Sequence, residues 1–216
     1  MTSSKKNKIA EYVKFLRNTS PYINSHRGKT FLLALSGEAM FHENFSNIIL
    51  DIALLQSMGI KLVLVHGVKY QLDNQNNFSD IYKSADIQTS VTDRSSMSLI
   101  KDAVGSTKIN IEAMFSSGVA SSPMYNSKIK VVSGNFITAK PAGIKEGIDL
   151  QYTGEIRRID ALNIHKQLEE NAIVLLSPIG YSPSGEVFSL DYRDLAVQAA
   201  INLKAEKLIM FTQNEG

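Results

Sequence analysis

The stretch FLLALSGEAMFHENFSNIILDIALLQSMGIKLVLVHGVKY, residues 31–70, decides the fold. Phe31–Leu35 is a short continuous apolar run, the pattern of a strand buried on both faces. Ser36-Gly37 breaks it. A helical pattern follows, with Phe45, Ile48, Ile49, Ile52, Leu55 and Met58 on one stripe, and Gly59 stands where a helix commonly stops. Lys61–Val65 is a second buried strand, closed by His66-Gly67. Strand, helix and strand at this spacing predict a βαβ unit with parallel strands. Its two glycine-bearing loops, at Gly37 and Gly67, then lie at the carboxyl ends of neighbouring strands, where open α/β sheets hold ligands.

Upstream, residues 5–17 carry Ile9, Val13 and Leu16 at i, i+4, i+7, with Tyr12 adjacent, which predicts an amphipathic helix. Ser20-Pro21 is read as its end and Tyr22–Lys29 as a linker. Downstream, Gln71–Phe78 is read as a helix start followed by a loop. Ser90–Asp93 is a short extended piece, with Asp93 or Thr92 capping a helix through Ser98–Val104 that continues over Ile109–Phe115. Residues 116–122 form a loop. The apolar runs within 129–140 predict a β-hairpin turning at Ser133-Gly134-Asn135, with weaker strands over 148–158. Asp160 caps a helix over Ala161–Glu170 with Leu162, His165 and Leu168 on one side. Ala172–Leu176 is a third buried strand and Pro178–Gly185 a loop. Val187–Leu190 is a short strand. Asp191–Leu203 is a helix burying Leu195, Ala199 and Leu203, and Glu206–Phe211 a fourth buried strand. The fold class is therefore α/β, a mostly parallel sheet sandwiched by helices with a β-hairpin insertion. The last strand has no covering helix after it, so the fold is expected to be C-terminally incomplete.

The 216 residues are 44% hydrophobic and 20% charged, an ordinary globular balance. A net charge of +2 is too small to argue for nucleic acid. The absence of cysteine excludes disulfides and thiolate metal sites. No apolar run is long enough to span a membrane and no signal peptide stands out, so the cytoplasm is the default compartment.

Glycine admits backbone N–H groups close to an anion, and a helix N-terminus adds a favourable dipole. SGEA (36–39) and HGVK (66–69) are thus candidate phosphate or carboxylate loops, ordinary βα turns being the alternative. Lys69 is the only cation in either. No P-loop, dinucleotide fingerprint or nucleophile elbow occurs, and His26, His42, His66 and His165 lack paired metal-ligand spacing. No catalytic residue and no metal site is assigned.

Longer phrases carry a family resemblance. PYINSHRGKTFLLALSGEAM (21–40) and KIKVVSGNFITAKPAGIKEGIDLQYTGEIRRID (128–160) resemble bacterial N-acetylglutamate synthase, as do SVTD (90–93), IHKQLEENAIVLLSPIGYSPSGEVF (164–188) and INLKAEKLI (201–209). The likeness spans nearly the whole chain. It implies an amino-acid-kinase-like domain, akin to acetylglutamate kinase, that builds a homo-oligomer and binds the inhibitor L-arginine. In that family a separate domain makes N-acetylglutamate from acetyl-CoA and glutamate in arginine biosynthesis. That acetyltransferase domain, with its acetyl-CoA cofactor, is not found in these residues.

The resemblance also marks departures. The kinases carry a lysine where Ala34 stands, Gly-Gly at Ser36-Gly37, a His-Gly-Gly-Gly loop at His66-Gly67-Val68-Lys69, and an arginine at Ser90. Residues Ser36, Gly37, His66, Gly67 and Lys69 are therefore candidates for a vestigial kinase site, and Tyr22 is a candidate for arginine binding. The expected organisation is an N-terminal inter-subunit helix over 1–20 and a kinase-like domain over 21–216. The alternative is an acetylglutamate kinase, from which Ala34 discriminates.

Overall fold

A computed structural model describes the backbone of residues 3–73, 91–116 and 129–212. Five strands form the central sheet: β1 (Thr30–Leu35), β2 (Lys61–His66), β3 (Lys130–Ser133), β8 (Ala172–Leu176) and β11 (Lys207–Phe211). Their order is β11-β1-β2-β8-β3, and every pairing is parallel. Alternation along the strands splits the core into two layers. Phe31, Leu33, Leu35, Leu62 and Leu64 face α3 (Phe45–Ser57) and the far end of α5 (Arg94–Ser116). Leu32, Ala34, Val63 and Val65 face α6 (Ala161–Glu169) and α7 (Tyr192–Asn202). Two short helices, α2 (Gly37–Phe41) and α4 (Lys69–Asp73), follow β1 and β2. The mostly parallel sheet between helices is as expected, and so are the Asp93 and Asp160 caps, whose carboxylates accept the N–H groups of Ser96 and Asn163.

The region between α5 and α6 differs in detail. No hairpin turns at Ser133-Gly134-Asn135. β3 enters the central sheet beside β8, because its apolar run finds a parallel partner in Ala172–Val174. β4 (Ile137–Pro141) starts a second sheet, ordered β10-β9-β4-β7, with β7 (Gly154–Ile159), β9 (Ile179–Tyr181) and β10 (Val187–Ser189). The inserted hairpin is β5 (Ile144–Lys145) with β6 (Ile148–Asp149). The Pro178–Gly185 loop thus contains a strand.

Other boundaries also move. α1 runs over Ser3–His26 with Pro21 inside it, so neither the stop at Ser20-Pro21 nor the Tyr22–Lys29 linker holds. Its end is set by Gly28 at φ +76°, a conformation glycine takes without strain. The turns past Pro21 are held by contacts that propensity cannot supply: Tyr22 packs edge-on against His26, and His26 against Phe31. α6 buries Ile164 and Leu168, while Leu162 is exposed. α5 is one helix from Arg94 to Ser116, continuous across Ser98–Val104 and Ile109–Phe115 as read from the sequence. β11 is an edge strand, with Leu208, Ile209 and Met210 exposed by 36–39% rather than buried. Residues 74–78 and 117–122, read as loop, lie outside the described residues.

The second sheet leaves no room at Gly180, where an added Cβ would lie 2.6 Å from the Ala139 Cβ. Gly180→Ala must push β9 from β4, which costs about 1–3 kcal/mol. Thermal unfolding is expected at a temperature roughly 3–10 °C lower. An unchanged midpoint would mean the two strands are not in this register.

Candidate functional site

The carboxyl ends of β1 and β2 open on a cleft of about 370 Å³. Gly67 donates its N–H to the Leu35 carbonyl at 2.8 Å, which ties the two loops together. A Cβ on Gly67 would meet the Tyr192 ring at 3.1 Å, and one on Gly37 would meet Gln71 Oε1 and Tyr70 Cβ at 2.8 Å. Both glycines therefore serve close packing of α2, α4 and α7 as well as the cleft wall.

Gly37, Gly67 and Lys69 line this cleft. Ser36 and His66 sit behind it. The Ser36 hydroxyl caps α2 by accepting the Ala39 N–H at 3.1 Å. His66 is fully buried: its Nε2 lies 2.9 Å from the Ser177 hydroxyl and its Nδ1 3.3 Å from the Gly67 carbonyl. Burial pushes its pKa down to about 4 against a weaker upward pull from the Gly67 carbonyl, so the ring is neutral at pH 7. A neutral ring has one N–H; donated from Nδ1 to Gly67, it leaves Nε2 to accept from Ser177. His66 thereby pins the second loop to the end of β8. Tyr22 lies elsewhere, on α1 beside β11, where its hydroxyl takes a 2.7 Å hydrogen bond from the Lys207 ammonium.

The remaining walls come from residues that sequence reading did not single out as site residues. Glu38, Asp73, Asp191, Tyr192 and Arg193 line the cleft, as do Thr92 and Thr153, whose hydroxyls are hydrogen-bonded at 3.0 Å. Asp191 was read only as the start of a helix; in the structure it caps α7, and its approach to the cleft depends on the second sheet delivering β10 there. Burial works to raise the Asp191 carboxyl, yet hydrogen bonds from Arg193 and the first N–H groups of α7 outweigh it and hold it below the ordinary range. Arg193 Nη2 lies 3.1 Å from Asp191 Oδ2, and this pairing raises the guanidinium pKa. Burial raises the Tyr192 phenol. Among the described residues the cleft thus carries two cations and three carboxylates. One cation, Arg193, is spent on Asp191, while Lys69 has no ion pair among the described residues. Among the described residues, no group of three potential ligands is arranged to hold a metal ion.

The fold is shared with known proteins. The amino acid kinase family model matches residues 29–216. The chain belongs to this family. Within it, the amino-acid acetyltransferase of Ectopseudomonas mendocina (strain ymp) is 46% identical over 206 residues, covering 95% of this chain and 48% of the relative. That of Azotobacter vinelandii is 48% identical over 208 residues, with 96% and 48% covered. The chain spans about half the length of the curated relatives it matches. Among solved structures, the N-acetylglutamate synthase of Neisseria gonorrhoeae complexed with coenzyme A and L-arginine superposes with a TM-score of 0.83 at 33% identity, covering 95% of this chain and 48% of that one. The protein smu.665 of Streptococcus mutans, at 19% identity and a TM-score of 0.69, shares the fold. No helix among the described residues is long and apolar enough to cross a membrane.

Proposed function

We propose that this member of the amino acid kinase family is the regulatory and assembly part of an N-acetylglutamate synthase, that it transfers no phosphoryl group itself, and that it binds L-arginine. The reading rests chiefly on the charge of the cleft. Phosphoryl transfer requires positive charge around the moving group. Here β1 ends in Ala34, fully buried, and Leu35, the following loop adds Glu38, and Lys69 is the one cation free of an ion pair among the described cleft residues. A fold that keeps the glycine loops and has lost the cations suits a scaffold better than a kinase.

Arginine binding is supported by the relative from Neisseria gonorrhoeae, solved with L-arginine, and by the chemistry around Tyr22. The Lys207 ammonium lies 4.9 Å from the Tyr22 ring centre and 5.4 Å from that of Phe31. An ammonium suits a carboxylate, and an aromatic face suits a guanidinium. Acetyl-CoA is assigned to the synthase as a whole and not to residues of this chain.

Assembly is assigned to α1. Tyr12, Phe15 and Leu16 are 63–68% exposed, an apolar stripe that finds no cover among the described residues of its own domain. Such a stripe suits a second copy of the chain. Light scattering should find fewer subunits per particle for a version beginning at Ser20 than for the full chain at equal concentration. An equal number of subunits would remove α1 as the assembly element.

A further inference from the structure

The second sheet borders a cluster of cationic side chains separate from the cleft above. In the β4–β7 pairing, Thr138 opposes Arg158 and Ala139 opposes Ile156, so Arg157 is an extra residue, a β-bulge. In a regular strand Arg157 and Arg158 would point to opposite faces. The bulge breaks that alternation, and both arginines line one cleft of about 460 Å³ with Thr138, Tyr181 and Ser182. A neighbouring cleft of about 260 Å³ shares Asn135, Ile137 and Tyr181 with it, and adds Lys101 and Lys108 from α5. Among the described residues four cations thus line two adjoining clefts and no carboxylate lines either, although Glu112 accepts the Ser133 hydroxyl and Glu186 the Ser182 hydroxyl at their margins. None of the four has an ion pair among the described residues. Asp160, two residues beyond Arg158, accepts hydrogen bonds from Asn163 with both its oxygens; these hold its carboxyl below the ordinary range, with a smaller contribution from the Arg158 charge. On the α5 wall, Gly105 has nothing within 4 Å of an added Cβ, so internal packing does not require a glycine there, while a mid-helix glycine costs stability.

Two guanidiniums on one wall repel each other until an oxyanion comes between them, when the same geometry gives paired charge-assisted hydrogen bonds. We infer that the adjoining clefts bind a small molecule carrying at least two oxyanionic groups, phosphate or carboxylate, one held at Arg157 and Arg158 and the other at Lys101 and Lys108. The volumes suit a compact metabolite.

The inference stands apart from the arginine reading, since it uses none of the same residues. Calorimetry at low salt, titrating tripolyphosphate and citrate separately into the full chain, tests it. At least one is expected to bind saturably, and the preference between them separates a phosphate ligand from a carboxylate one. The Arg157→Gln/Arg158→Gln and Lys101→Gln/Lys108→Gln variants should each weaken that binding by about 10-fold or more, while Lys14→Gln on α1 leaves it unchanged. Lys14, Lys101, Arg157 and Arg158 are exposed and Lys108 is half-buried, and a thermal melt confirms that each variant folds. Failure of both anions to bind overturns the inference, as does binding insensitive to either double variant. So does binding of a polyglutamate peptide when neither small anion binds.

Discussion

Given N-acetylglutamate and MgATP, the chain is expected to release ADP at least about 10³-fold more slowly than a kinase that retains its cationic clamp. The expectation rests on Ala34 and on the charge around it. Ala34 sits in β1 between Leu33 and Leu35, fully buried, with a methyl group where the family resemblance places a kinase's ammonium. The two loops at the strand ends still approach each other closely, through Gly67 N–H and the Leu35 carbonyl. What they surround has changed. Glu38 lines the cleft from α2, Asp73 from α4, and Arg193 is held to Asp191 at 3.1 Å. Among the described residues, a nucleotide's phosphates would enter a site with more carboxylates than cations, and Lys69 is the one lining cation there without an ion pair to meet them. A coupled assay for ADP measures this, and turnover dependent on N-acetylglutamate would refute it.

The second large effect concerns acid. Stability is expected to fall by about 2 kcal/mol between pH 7.5 and pH 5 because of His66 alone. The histidine has a pKa near 6.5 when unfolded and about 4 when buried in the fold. Its folded value is depressed, so protonation favours the unfolded chain. The His66 contribution is complete above about pH 6.5 and is lost as pH falls toward 4, at up to about 1.4 kcal/mol per pH unit. Carboxylates act in a lower window. Asp93, held down by Ser96 and Ser95, and Glu155, held down by Lys145 and Lys140, have unfolded values of 3.8 and 4.5, and their stabilisation is lost only as pH drops below those values. The two contributions therefore separate along the pH axis. Denaturant unfolding at a series of pH values should give a slope between pH 6.5 and 5 that is absent in His66→Gln. A slope of equal size in the variant would mean the loss comes from other groups.

Much of this fold was legible in the sequence because parallel strands buried on both faces read as unbroken apolar runs. Phe31–Leu35, Lys61–Val65 and Ala172–Leu176 gave three central strands, and Leu195, Ala199 and Leu203 gave the buried face of α7. The failures share a cause: a local signal was overruled by a partner far away in sequence. Pro21 looked like a stop, but Lys207, 185 residues from Tyr22, helps to hold the turns beyond it. The runs either side of Gly134 looked like two arms of one hairpin, but one pairs with β8 and the other with β7 and β9. β11 read as buried from its composition, whereas its position at a sheet edge leaves it half covered.

The candidate site follows the same division. Gly37, Gly67 and Lys69 could be placed by the rule that ligands sit at the carboxyl ends of parallel strands. Tyr192 and Arg193 could not, because the second sheet delivers them. The bulge that brings Arg157 and Arg158 to one wall has no signature in the phrase EIRRID.

The most direct test of a silent kinase fold that senses a small amino acid is calorimetry with L-arginine on the full chain. Saturable heat with about one site per chain is predicted, sharply reduced in Tyr22→Ala and Lys207→Ala. No heat with arginine, together with saturable heat from N-acetylglutamate or ATP, would contradict the account and return the chain to the kinases.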